Sequence, residues 1–177
     1  MRAGWRWISG ESASGAGSFA GAIPARDAAF ELDELGFGTL WIPGGIGGDI
    51  LDVVGGALAA SETLVVATGI LNVWMHDAMW VASRHAQLTQ AYPDRFLLGL
   101  GVSHAVLVDN AEDGHRYARP LSAMIDYLDL LDTAAPPVPT SERALAALGP
   151  KMLELARDRA LGAHPYLVTT DHTAHAR

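Results

Sequence analysis

The chain has no cysteine, which excludes a disulfide framework, a thiolate metal site and a cysteine nucleophile. It is also poor in charge: Asp, Glu, Lys and Arg make up 18% of its 177 residues, while half are apolar. That is a globular composition rather than a disordered one. Basic residues are few and scattered, 12 Lys and Arg against 20 Asp and Glu, for a formal net charge of −8. Phosphate backbones need clustered cations, so nucleic-acid binding is not expected. Long apolar runs are missing as well. The uncharged stretch Thr63–His76 is too polar and too short to span a bilayer, and the N-terminal MRAGWRWISG carries no long apolar region behind its basic residues. These absences predict a cytoplasmic protein with no membrane partner. The length suits one domain, residues 1–177, burying roughly 70% of the unfolded chain's surface.

What is present is an alternation of short strand-like runs and longer segments of helical period. WRWIS, from Trp5, is the first run. In RDAAFELDELG, the residues Ala28, Ala29, Leu32 and Leu35 form one helical face that Gly36 closes. TLWIP (39–43) reads as a strand, and Asp49 as the N-cap of ILDVVGGALAA, a helix weakened by Gly55 and Gly56. A third strand starts at Thr63 and runs to about Ala67. Asp77 caps a helix with Met79, Val81, Ala82, His85 and Leu88 on its inner face, ending before Pro93. Phe96–Leu100 is the fourth strand. Pro120 opens a helix with the stripe Leu121, Met124, Ile125, Leu128 and Leu131, and TAAPPVPTS is a surface connector. RALAAL is a short fifth strand, Gly149–Pro150 opens the helix KMLELARDRALG, and AHPYLVT is a sixth strand ending at Thr169.

Six strands alternating with five helices predict an α/β fold with a parallel sheet. An open doubly wound sheet and part of a barrel both fit, with the pattern alone slightly favouring the open sheet. A complete eight-unit barrel needs about 250 residues, so the barrel reading requires missing βα units.

The stretch RFLLGLGVSH (95–104) has a Gly-x-Gly that invites a dinucleotide-binding reading. That motif needs a third glycine where His104 stands, and belongs in the first βα unit rather than the fourth. The glycines fit better as packing devices in a strand.

In their order, the segments ELDELGFGTLWIP, LVVATGILNVW, HAQLTQAYPDRFLLGLGVS and LAALGPKMLELARDRALGAHPYLVT resemble the luciferase-like monooxygenase superfamily, and within it the oxidoreductases that use the deazaflavin coenzyme F-420. The resemblance implies an incomplete (β/α)8 TIM barrel of about six βα units, with the seventh and eighth strands lacking a counterpart. It implies an oxidoreductase moving a hydride between F-420 and a small organic substrate. FMN-dependent monooxygenation on the same scaffold, and an inactive truncated paralogue serving as a binding or assembly partner, are the alternatives. The exposed edges of such an incomplete barrel imply a covering partner, most simply a second copy in a homodimer.

Residue by residue, the resemblance implies a non-prolyl cis peptide between Gly69 and Ile70 supporting the ring, with Asn72 at the ring edge. Ser103 and His104 fall at the strand mouth, His104 in the position of a catalytic glutamate of the sugar-phosphate dehydrogenases. A histidine there suits proton transfer near neutral pH, and a solvent-facing loop histidine is the plainer reading. The amides of Leu148 and Gly149, at a helix N-terminus, and the Thr169 hydroxyl match phosphate-binding positions. Trp7, Trp41 and Trp74 fall near strand ends and suit either an aromatic pocket wall or rim packing. Gly44 and Gly45 replace a histidine of the sugar-phosphate dehydrogenases, which argues against that substrate class. His76 lies in a turn and His85 reads as a packed helix residue. Asp171, His172 and His175 have too few companions for a metal site.

Overall fold

A computed structural model describes residues 22–44, 49–109 and 117–176, with side chains from Ala25 to Ala174. The WRWIS run, Trp7, Gly45 and the side chain of His175 lie outside the described residues.

Five strand positions build one curled, parallel half-barrel in the order β1-β2-β4-β5-β6. The incomplete barrel is therefore the correct architecture, and the open doubly wound sheet is not. β1 is Thr39–Ile42, β2 Val65–Thr68, β3 Leu71–Asn72, β4 Phe96–Gly101, β5 Arg143–Ala146 and β6 Gly162–His164. The helices are α1 (Ala22–Glu34), α2 (Ile50–Ala59), α3 (Ala78–Ala91), α4 (Ala105–Asp109), α5 (Pro120–Thr133), α6 (Pro150–Arg159) and α7 (Thr170–Ala176).

β2 and β3 are two parts of one strand interrupted by a bulge. Both pair with β4, Ala67 opposite Leu97 and Leu71 opposite Leu100. Between those pairs one chain advances four residues and the other three, so one residue is extra, and such a bulge bends and twists the strand. The Gly69–Ile70 peptide within it is cis. Thr68 fills the gap in the ladder: its Oγ1 donates to Gly99 O at 2.7 Å and accepts from Gly99 N at 2.8 Å. Gly99 has to be glycine, because a Cβ there would lie 1.8 Å from the Thr68 carbonyl oxygen.

The two faces of the sheet differ in kind. The helix-covered face carries Leu40, Ile42, Val66, Leu71, Phe96, Leu98, Leu100 and Leu145, which join α2, α3 and α5 in the main core. The concave face has a smaller cluster of Ala67, Leu97 and Ala144, packed by Trp41, Val65 and Leu161. Period-two alternation separates the sets.

Several sequence expectations shift. Leu35 is 66% exposed because α1 has already ended at Glu34. It lies in the capping turn that Gly36 closes at φ 80°. Met79 is 47% exposed, being next to Ala78 and about 100° around the helix from the buried stripe. The TAAPPVPTS connector is not wholly superficial: Ala134 and Val138 are buried, and Val138 N donates to Leu131 O. β5 ends at Ala146, and β6 ends at His164 rather than Thr169. Pro165 has no N–H to continue the ladder, Leu167 adopts φ 50°, and Thr169 instead precedes α7, accepting from His172 N.

Arg143 opens β5 fully buried on the helix side. Its Nε donates to Arg159 O and its terminal nitrogen to Asp132, which also accepts from Arg159. Beside it, His85 is buried against Phe96 with Nε2 3.3 Å from Glu142. Burial, and then the positive charge of Arg143, lower its pKa from 6.5 to about 4. The folded state thus keeps His85 neutral.

Two measurements check these contacts. Gly99→Ala should lower the urea-unfolding free energy by about 3 kcal/mol through overpacking, whereas Gly162→Ala, where a Cβ meets nothing within 4 Å, should stay within about 0.5 kcal/mol. For His85 the folded pKa lies below the unfolded one, so the unfolded chain protonates first as pH falls. Its stabilising contribution is intact above 6.5 and declines toward about 4. That shift corresponds to on the order of 3 kcal/mol, so His85→Leu should lose less stability than wild type between those pH values.

Candidate functional site

The C-terminal ends of the strands converge on the bulge. Trp41 of β1 projects onto the concave face, where its ring lies parallel to that of His164 from β6, centroids 4.1 Å apart and planes 7° apart. Beneath this stack are two glycines. A Cβ on Gly69 would meet Trp41 Cε3 at 3.4 Å and His164 Nε2 at 3.7 Å, and one on Gly99 would meet Trp41 Cζ3 at 3.3 Å. The first two are ordinary packing distances and the third is tight, so the rings lie directly against this glycine floor. Burial lowers the His164 pKa below its ordinary value, which leaves a neutral imidazole at neutral pH.

The bulge is held from two sides. The loop after β1 approaches it so closely that a Cβ on Gly44 would lie 2.0 Å from Ile70 O. The Ile70 side chain in turn occupies the space a Cβ on Gly101 would need, at 2.6 Å. Gly69, Ile70 and Gly101 are therefore brought together, and the glycines of GLG act by close packing.

Asn72, half-buried at the end of β3, accepts from Trp74 N through Oδ1. Trp74 Nε1 donates to Val102 O at 2.9 Å and its ring leans on Tyr117. This ties the turn after β3 to the loop that follows β4. Ser103 sits in that loop at φ 57°, and His104 is exposed on the rim, its carbonyl accepting from Leu107 N and Val108 N to start α4. Leu148 and Gly149 are exposed after β5. Gly149 is the N-cap of α6, whose first amides have no side-chain cap. Thr169 lies five residues past β6, at the start of α7.

The structure thus gathers Gly69, Ile70 and Asn72 at the bulge and places Ser103 and His104 on the adjoining loop. Leu148 and Gly149 sit on the next strand's exit, and Thr169 is further along the chain than expected. His164 was not singled out in the sequence, where it reads as one residue of a strand. The signal available was its position just before Pro165, which ends the strand. His76 stacks on Trp80 instead, with its pKa lowered by burial. Among the described residues no group of three or more His, Cys, Asp or Glu is placed to hold a metal ion, and no helix is long and apolar enough to cross a membrane.

A flat, phosphate-bearing cofactor fits these residues. The mouth already seats two planar rings in parallel over glycines, and the uncapped N-terminus of α6 offers amide donors to an anion.

A family model for luciferase-like monooxygenases matches residues 7–177. No curated protein matches the sequence. Among solved structures, an F-420-dependent secondary alcohol dehydrogenase in complex with an F-420–acetone adduct is 16% identical, with a TM-score of 0.70 over 88% of this chain and 59% of that one. The F-420-dependent tetrahydromethanopterin reductase from Methanopyrus kandleri is 17% identical, with a TM-score of 0.64 over 82% and 52%. The oxygenating constituent of 3,6-diketocamphane monooxygenase from Pseudomonas putida, in complex with FMN, is 10% identical, with a TM-score of 0.69 over 88% and 55%. The chain thus spans between half and three fifths of the length of these structures.

The Trp74 bond generates a prediction. Trp74→Phe leaves the Val102 carbonyl without its donor and should cost about 1 kcal/mol. Amide hydrogen exchange should quicken in residues 102–104 before it does in β4.

Proposed function

The chain belongs to the luciferase-like monooxygenase family, and from that premise we propose that it holds F-420 across the mouth of its half-barrel and serves hydride transfer to or from a small organic substrate. The observation that carries the reading is the parallel Trp41–His164 stack over Gly69 and Gly99. It gives the mouth the shape and apolar faces that a planar ring needs. Bound deazaflavin supplies a carbon that takes or gives two electrons as hydride.

The residues divide the work of holding and orienting. Gly69 and Ile70 present the bulge backbone to one side of the ring, and Asn72 retains its amide hydrogens for the ring edge. Ser103, fixed in a left-handed conformation, carries a hydroxyl on the same rim. The amides of Leu148 and Gly149, ahead of α6, receive the phosphate. Thr169 accepts from His172 N, which leaves its hydroxyl hydrogen for a phosphate oxygen. His104, exposed on the rim, exchanges protons with solvent near the substrate. Positioning of this kind accounts for a large share of the barrier reduction in hydride transfer. FMN is the alternative ring, since its phosphate would meet the same α6 terminus. A second copy covers the open edge beside β6, where Tyr166 and Leu167 are exposed, and the whole chain acts as one domain in the cytoplasm.

Titration of the purified chain with F-420 and with FMN, followed by fluorescence quenching, tests the reading. The expected result is saturable F-420 binding at micromolar concentration and weaker FMN binding. Tighter FMN binding moves the assignment to monooxygenation, and binding of neither leaves the inactive assembly partner, whose dimer size-exclusion chromatography would reveal.

A further inference from the structure

We propose that His164 Nε2 is the atom that exchanges the substrate proton accompanying hydride transfer, with Trp41 fixing the imidazole plane. This rests on the reading that F-420 lies across the mouth.

The inventory of the concave face carries the argument. By strand alternation its described residues are Thr39 and Trp41 of β1, Val65 and Ala67 of β2, Asn72 of β3, and Leu97, Gly99 and Gly101 of β4. Ala144 and Ala146 of β5 and Gly162 and His164 of β6 complete it. His164 is the one titratable group among them. His85 lies on the helix-covered side, His76 stacks on Trp80, and His104 is on the exposed rim. A reaction inside the mouth that moves a proton has His164 as its interior base or acid.

Geometry and electrostatics agree with that task. Stacking on Trp41 engages the face of the imidazole and leaves its in-plane nitrogens pointing away from the indole. Nε2 lies beside the bulge, 3.7 Å from where a Cβ of Gly69 would stand. Burial alone lowers the His164 pKa, so the group is a neutral acceptor at neutral pH. No described charge faces it: β5 offers Ala144 and Ala146, the bulge Gly69 and β1 Trp41, whereas Arg143 and Arg159 are bound to Asp132. Once protonated, the ring rests on an indole face, which stabilises a cation.

An alcohol–carbonyl pair is a substrate class whose interconversion moves one hydride and one proton, as such a site requires. In the oxidising direction a carbinol C–H bond breaks and its electron pair passes with the hydrogen to F-420, which is reduced. The O–H bond breaks, its proton passes to Nε2, and the carbon–oxygen double bond forms. The reverse direction returns both.

Histidine Cε1–H resonances of the full chain, assigned with His164→Gln, provide a test independent of turnover. In wild type the His164 resonance should titrate below 6.5, lose its ring-current shift in Trp41→Leu, and move when F-420 is added. By linkage, a one-unit displacement of the His164 pKa on binding corresponds to about a tenfold change in F-420 affinity across the titration. That pH dependence should vanish in His164→Gln and persist in His76→Gln, whose ring stacks on Trp80 away from the mouth. A His164 resonance that ignores bound F-420, or a pH dependence that survives His164→Gln or disappears in His76→Gln, overturns the proposal while leaving F-420 binding intact. Absence of F-420 binding to wild type overturns the parent reading and this one with it. Nuclear Overhauser contacts with the stacked Trp41 ring assign the wild-type resonance even where a variant does not fold.

Discussion

The Thr68 hydroxyl, bonded to both the carbonyl and the amide of Gly99, is the contact on which the rest of the mouth depends. A bulge frees one backbone residue from the ladder, and the polar groups opposite it need partners in a buried setting. Thr68 supplies both from a single oxygen, so the strand resumes its pairing at Leu71 after a local change of direction. The same approach that makes these bonds short forbids a side chain on Gly99. A Cβ there would also press on the Trp41 ring, at 3.3 Å from its Cζ3. A hydrogen bond, a missing methyl group and an aromatic platform are thus one structural decision.

The unequal faces follow from the same constraint. Large aliphatic residues on the helix side make the core, and burial there amounts to about 25 cal/mol per Å² of apolar surface. Among the described residues no helix fills the concave side, which carries Ala67, Ala144 and Ala146 beside glycines. Small residues keep the interior shallow, so two rings suffice to occupy its upper part. Charge is kept elsewhere: the buried Arg143 finds a carboxylate and a carbonyl on the helix side, as a buried guanidinium must.

Much of the fold is legible in the sequence because strand and helix periods differ and the caps are explicit. Asp49 and Asp77 accept the amides their positions foretell. Gly36 closes α1, and Pro120 and Pro150 open α5 and α6. Pattern alone does not distinguish an open sheet from a curled one, because the distinction lies in register and in one extra residue at the bulge. The run VVATGILN shows no gap where β2 becomes β3. The expected sixth strand runs too long because Tyr166 and Val168 favour strands, while the missing N–H of Pro165 acts first. Arg143 at a strand's start gives no local sign that Asp132 and Arg159 will enclose it, since both lie on helices that meet it only in three dimensions.

Of the candidate site, the Gly69–Ile70 feature comes only with the family resemblance, whereas the β4 exit and the α6 terminus are recoverable locally, being strand ends followed by turns. The Trp41–His164 pair is not, since it joins residues more than a hundred positions apart on strands that do not pair. β1 and β6 stand at opposite ends of the described sheet order, and yet their side chains touch face to face. Only a sheet curled toward itself brings them within 4.1 Å. The stack is therefore evidence of curvature as well as a feature of the mouth. Because it spans the concave face from within these strands, it joins the β1 and β6 ends of the sheet directly across the bulge.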